Sequence, residues 1–175
     1  MIQGDLWAAP APVPEPRAAD APAGPIERLD YFLSEPDTTN NRMALRSAIA
    51  ALDLLAPRGA APLTFVTDSN YIVLGMTRWV AAWRARGWRR KGGPIENLDL
   101  WQTLVERAAG RRIDWHWVKG HAGHAKNEYA NALATRAAAE QGASGGLVPS
   151  GFPAWLETER SRGRYARFDP DQELR

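Results

Sequence analysis

Residues 38–49 read Thr-Thr-Asn-Asn-Arg-Met-Ala-Leu-Arg-Ser-Ala-Ile, and this stretch, taken with two others, decides the fold. Thr and Asn favour helix N-caps, because their short side chains accept hydrogen bonds from first-turn amides. The expected helix starts at Asp37-Thr38, and Leu45, Ile49, Leu52 and Leu55 keep helical spacing along it. Next comes Leu63–Thr67, a run of buried-strand type that ends at Asp68-Ser69. The third stretch is Trp117-Val118-Lys119-Gly120-His121-Ala122-Gly123-His124, which follows a strand over Arg112–Val118 with alternating Ile113, Trp115 and Trp117. Around these, Leu29–Ser34 reads as a short strand, and Asn70–Trp83, Leu98–Ala109 and Asn127–Glu140 read as helices. Strands alternating with helices predict an α/β fold.

A chain of 175 residues, 45% apolar, suits one domain with something to spare. Net charge is only +2, but nearly all of the 22 positive side chains are arginine, which binds phosphate bidentately and stacks on bases as lysine does not. With no cysteine, disulfides and thiolate metal sites are excluded. No apolar run approaches the ~18 residues of a membrane span, and no signal pattern opens the chain, so a cytoplasmic protein without a membrane partner is expected. Residues 1–25 read as a disordered terminal peptide on an Ala/Pro-rich tether, since Pro-rich chain favours extended, semi-rigid conformations. Residues 26–140 form the expected globular domain, and 141–175 a flexible connector (141–150) with a short charged helix over Pro153–Tyr165, Trp155 and Leu156 on one side.

In order and spacing, the three stretches resemble bacterial type 1 ribonuclease H, which cleaves the RNA strand of RNA–DNA hybrids. The resemblance covers about residues 29–138. It implies a ribonuclease H-like fold with a reduced mixed sheet flanked by helices. It also implies a site of four carboxylates holding Mg²⁺, of which the chain keeps one, Asp68. Where the family has a Glu the chain has Ala44, where it has an Asp the chain has Asn131, and the Asp of a first strand with its Gly-rich turn has no match. His121 corresponds to the mobile-loop histidine that assists proton transfer or product release. Two-metal hydrolysis needs clustered carboxylates, because hard Mg²⁺ takes oxygen ligands and its charge must be offset. Asp20 and Glu128 are the acids that could substitute; Glu128 also suits the start of a helix, near the positive end of its dipole.

The resemblance leaves more of the binding surface than of the chemistry. Thr39, Asn40, Asn41 and Asn70 match hybrid-contacting positions, where short amides and hydroxyls reach 2′-hydroxyls and base edges in a minor groove; helix capping is the plainer role. From Arg78 to Lys91 the chain carries six positive residues and no acid, with Trp79, Trp83 and Trp88 interleaved. This resembles the family's basic protrusion, with Arg84, Arg86, Arg89 and Arg90 as phosphate contacts and Trp79 as a channel residue. Trp83 is read as core packing, and Trp88 as a nucleic-acid contact.

In the family the first of five strands lies at the centre of the sheet. Here the residues before Ile26 lack strand character, so one edge of Leu63–Thr67 is expected to be open, an aggregation liability unless covered. Either Leu29–Ser34 slides inward to pair with it, or a strand-donating partner or a second copy covers it. At the front, Gln3-Gly4-Asp5-Leu6-Trp7 resembles the short peptide with which bacterial proteins bind the sliding clamp. Gln3 and Asp5 would make its polar contacts, and Leu6 and Trp7 would fill an apolar pocket.

Three functions remain open on sequence. The first is a hybrid-binding protein with little or no cleavage, tethered to the clamp. The second is an active Mg²⁺-dependent endonuclease cleaving the RNA strand of hybrids. The third is a protein-interaction scaffold.

Overall fold

The computed structural model describes residues 26–171, apart from Ala60 and Ala122. The expected tether, Asp20 and the peptide of Gln3, Asp5, Leu6 and Trp7 lie outside the described residues. In chain order the elements are β1 (Leu29–Asp30), α1 (Asn40–Leu55), β2 (Leu63–Thr67), α2 (Asn70–Leu74), α3 (Val80–Ala85), α4 (Leu98–Ala108), β3 (Ile113–Trp117), α5 (Ala125–Glu140), β4 (Val148–Pro149) and α6 (Phe152–Ser161). A short 3-10 turn, Ala56–Arg58, closes α1.

Helix α1 begins at Asn40 rather than at Asp37-Thr38. Asp37 takes a left-handed φ of 51°, which no helix accommodates, so the cap passes to Thr39. Its Oγ1 accepts from the Arg42 amide at 3.3 Å. The apolar stripe predicted along α1 buries Leu45 and Leu52 against Leu100, Trp101 and Leu104 of α4 and Ile72 of α2. Each such side chain taken from water contributes about 1.5–3 kcal/mol.

The helix expected over Asn70–Trp83 is interrupted by a π-helical turn, Gly75–Trp79, between α2 and α3. At Gly75 the buried Trp101 indole lies so close that a Cβ would sit 1.9 Å from its ring. Only glycine lets the helix approach the ring this closely.

The sheet is mixed and in two pieces. Strands β2 and β3 are parallel, in register from Leu63 opposite Ile113 to Thr67 opposite Trp117. The expected inward slide of Leu29–Ser34 does not occur. Only Leu29–Asp30 is strand, and it pairs antiparallel with Val148–Pro149 of β4, not with β2. Asp30, 8% exposed, holds it there. Its carboxylate accepts from the Ser150 hydroxyl (2.6 Å), the Gly151 amide (2.9 Å) and the Tyr129 hydroxyl.

Residues 141–150, expected as a flexible connector, therefore contain a strand. The Ser144 amide adds a further tie, donating to the Phe32 carbonyl at 3.0 Å. Helix α6 is shorter than the expected Pro153–Tyr165. It lays Phe152 and Leu156 on Ala125 of α5 in a second cluster with Tyr129, Trp155, Tyr165 and Phe168.

Candidate functional site

Asp68 stands at the C-terminal end of β2, exposed, where the strand turns into α2. Ser69 caps α2, its hydroxyl accepting from the Ile72 amide, and this fixes the turn that presents the carboxylate. Two neighbours hold Asp68. Trp117 Nε1 donates to its backbone carbonyl at 3.1 Å, and the Asn127 side-chain amide donates to Oδ2 at 3.3 Å. The loop after β3 closes over it, so that a Cβ on Gly120 would lie 2.8 Å from Oδ2. A side chain there would push the exposed Asp68 carboxylate aside.

Ala44 of α1, Asn131 of α5 and Asp68 line one groove of about 360 Å³, so the fold does bring the three matched positions together. His121 takes a left-handed φ of 54°, its imidazole largely exposed with Nδ1 3.7 Å from the Glu128 carboxylate. Glu128 thus faces His121, while Asn127, one residue earlier, reaches Asp68. Nothing in the sequence reading singled out Asn127. Its position on the first turn of α5, whose end is capped by the His124 ring at 3.3 Å from the Asn127 amide, was the available signal.

These residues do not fit a pair of divalent ions. Among the described residues no three His, Asp or Glu side chains gather closely enough to hold a metal. Asp68 offers one anionic donor, Asn131 only a neutral carbonyl, and Ala44 none. Hard cations need several oxygen ligands with offsetting charge.

The matched binding positions fall at the starts of α1 and α2 and in the π-helical turn. Asn40, Asn41 and Asn70 are exposed, at the starts of α1 and α2, and Thr39 is exposed while also capping α1. Trp79 is half-buried, its ring 5.9 Å from Tyr71 and 5.8 Å from Trp83. Trp83 is core, as expected. Trp88 is half-buried among the exposed arginines. It packs on the main core, because a left-handed φ of 60° just after Gly87 folds the chain back onto α3.

Arg84, Arg86, Arg89 and Arg90 are all exposed, and among the described residues none has a carboxylate within 4.0 Å. Elsewhere arginines are paired: Arg46 with Glu35 at 2.9 Å, Arg58 with Glu27 at 2.6 Å, Arg107 with Asp53 at 2.7 Å, Arg162 with Glu159 at 2.9 Å. Arg90 also borders a cleft of about 270 Å³ between Tyr71, Trp79, Trp83 and Ile95. A cationic ridge without counter-charge, beside an aromatic cleft, suits a polyanion with stackable or sugar faces.

A family model for RNase H matches residues 17–139. The chain is 52% identical over 108 residues to a ribonuclease H of Halorhodospira halophila, covering 61% of this chain and 71% of that protein. It is 47% identical over 107 residues to ribonuclease HI of Pseudomonas aeruginosa, covering 61% of this chain and 71% of the relative. Among solved structures, it is similar to LC9-RNase H1, described as a type 1 RNase H with the type 2 active-site motif. The TM-score is 0.73 and the identity 52%, over 88% of this chain and 78% of that one.

Proposed function

The chain belongs to the bacterial type 1 ribonuclease H family, and from that premise we propose that it binds RNA–DNA hybrid with little or no cleavage. The observation that carries this reading is the contrast between its two surfaces. The ridge of Arg84, Arg86, Arg89 and Arg90 stands without carboxylate partners among the described residues, while the groove at Asp68 holds one carboxylate beside Asn127, Asn131 and Ala44. Affinity for a duplex comes chiefly from cations on phosphates. Cleavage would come from metal-held charge that this donor set is too sparse to organise.

On this reading, Thr39, Asn40, Asn41 and Asn70 meet the minor groove, Trp79 borders the strand held by the arginine ridge, and His121 keeps its place without a metal site to serve. No helix among the described residues is long and apolar enough to cross a membrane, which accords with a cytoplasmic setting. The experiment is hybrid binding with and without Mg²⁺. Retained binding with no cleavage supports the reading. Metal-dependent cleavage supports the endonuclease alternative, and absence of binding supports a scaffold.

The peptide Gln3–Trp7 supports a second element, capture by a bacterial sliding clamp. Two adjacent apolar anchors on a Pro-rich spacer raise effective concentration at replicating DNA without new contacts on the domain. Binding in the micromolar range, about −8 kcal/mol, is expected by fluorescence polarisation and lost in Leu6→Ala with Trp7→Ala. Unchanged clamp affinity in that variant removes the element and leaves hybrid binding standing.

A further inference from the structure

Residues 160–168 read Arg-Ser-Arg-Gly-Arg-Tyr-Ala-Arg-Phe, four arginines and no acid, and lie outside residues 17–139 matched by the family model. Helix α6 ends here in a fixed geometry. The Gly163 amide donates to the Arg160 carbonyl and the Arg164 amide to the Glu159 carbonyl, both at 2.9 Å, with Gly163 at a left-handed φ of 81°. These are the paired bonds of a Schellman stop, whose two ends commonly bring apolar side chains together. Here the two ends are Glu159 and Arg164, and they form an ion pair. Glu159 is buried, 2% exposed, and its other oxygen accepts from Arg162 at 2.9 Å. One carboxylate offsets only one of these two positive charges.

The side chains of Arg162 and Arg164 stay 65% and 57% exposed, and a guanidinium has more donors than one carboxylate oxygen can take. The turn is held at its far end too. Arg160 donates to the Phe168 carbonyl at 2.8 Å, and the Phe168 amide to the Tyr165 carbonyl at 3.0 Å. Arg167 on that turn is exposed. Compensation of the helix dipole accounts for cations in the last turn of α6, but not for Arg167, well past Ser161 where the helix ends. An aromatic stack ties the turn to the groove at Asp68. Asn127 of α5 donates to Asp68, and two residues on Tyr129 packs on Trp155 with ring centres 5.5 Å apart. Trp155 packs on Tyr165 at 5.7 Å, and the Arg164 guanidinium lies over Tyr165 at 5.9 Å. The arginines thus stand two ring-to-ring steps from the first turn of α5, on a support already ordered before a ligand arrives.

We propose that Arg162, Arg164 and Arg167 form a second phosphate-binding surface, which grips the backbone of an RNA–DNA hybrid where it runs on past the Asp68 groove. This rests on the hybrid binding proposed above and adds a separate contact to it. Planar guanidinium forks match phosphate oxygens bidentately. A duplex carries a phosphate about every 3.4 Å along each strand, so a strand lying at the groove has further phosphates at the distance of the turn. An anionic membrane surface fits less well. Binding there needs apolar side chains that enter the bilayer, whereas the rings of Trp155 and Tyr165 are half-buried in the cluster between α5 and α6.

Arginine footprinting with phenylglyoxal on the unsubstituted full-length protein tests this, with a hybrid of about two helical turns as the probe. At about ten times its dissociation constant the hybrid lowers the free fraction about tenfold, so modification of Arg162, Arg164 and Arg167 should slow at least ~fivefold. Arg107, paired with Asp53 on α1, is the internal control and should react as before. Protection of Arg84, Arg86, Arg89 and Arg90 without these three overturns the inference and leaves hybrid binding standing. Protection at no arginine sinks both. Protection of the three by phosphatidylglycerol vesicles and not by hybrid also overturns it. A variant gives a second measurement. Arg162→Gln, Arg164→Gln and Arg167→Gln, made together with Glu159→Gln, remove the cations without leaving a buried carboxylate unpaired. The slope of log affinity against log salt should fall by about 2.7, at about 0.9 for each phosphate contact. An unchanged slope overturns the inference, and the footprint decides it if the variant does not fold.

Discussion

The Asn127 side-chain amide donates to the Asp68 carboxylate at 3.3 Å, joining the end of β2 to the first turn of α5 across 59 residues. A neutral donor thus occupies one face of the only matched carboxylate. The arrangement satisfies Asp68 as a hydrogen-bonded surface acid, while metal-assisted attack needs several anionic oxygens around it.

Cleavage is therefore expected to be slow. With excess Mg²⁺ or Mn²⁺ the protein should cut hybrid at least ~10³-fold more slowly than an active relative, the order lost on removing one electrostatic catalytic group. Ala44→Glu with Asn131→Asp should not restore turnover, because with Asp68 these still fall short of the family's four carboxylates. Single-turnover cleavage near a relative's rate, abolished by Asp68→Asn, would sink this reading.

The arginine ridge makes a separate prediction. Changing Arg84, Arg86, Arg89 and Arg90 together to Ala should lower the slope of log affinity against log salt by roughly 3.6, since each lost phosphate contact removes about 0.9. A slope equal to the parent's would reduce the ridge to a solvated face.

Gly75 should tolerate no side chain. A Cβ 1.9 Å from the Trp101 ring cannot be relieved easily, because Trp101 is fully buried and its Nε1 is tied to the Tyr71 hydroxyl at 2.9 Å. Gly75→Ala is expected to destabilise by about 3 kcal/mol, the upper range for overpacking a core. Urea unfolding measures it, and a midpoint within error of the parent's would refute it.

The Asp30 anchor predicts a pH dependence. Burial, then the hydrogen bond and charge of Asp30, push the Tyr129 hydroxyl from 10.0 up to about 12. A pKa raised on folding means the native state holds its proton longer than the unfolded chain does. The associated stabilisation is complete below pH 10 and is lost as pH rises from about 10 to about 12. Tyr129→Phe should flatten stability across that window. Asp30→Ala, which orphans up to three donors at about 1–3 kcal/mol for each one left buried, should expose α6 to protease at neutral pH. Equal alkaline sensitivity in Tyr129→Phe and the parent would show that this hydroxyl does not matter.

Much of the site was legible because its signals are local. The apolar spacing of α1, the Asp at the end of β2 and the Gly-His loop each depend on residues a few positions apart, which is where helical and strand periodicity act. The absence of carboxylates at Ala44 and Asn131 needed no structure at all. Trp88 could not be placed from sequence, because its interleaving with arginines is equally compatible with facing outward. The backbone reversal at Gly87 and Trp88 turns it onto the core.

What the chain order alone determined is the order of its helices and parallel strands, and the chemistry present or absent at each matched position. Only the tertiary structure decided where Leu29–Asp30 goes. Its partners Tyr129, Ser150 and Gly151 lie 99, 120 and 121 residues away. A buried carboxylate takes whichever donors the fold brings within reach, and no local periodicity encodes that choice. By drawing β1 to β4, those donors leave the second edge of β2 open among the described residues.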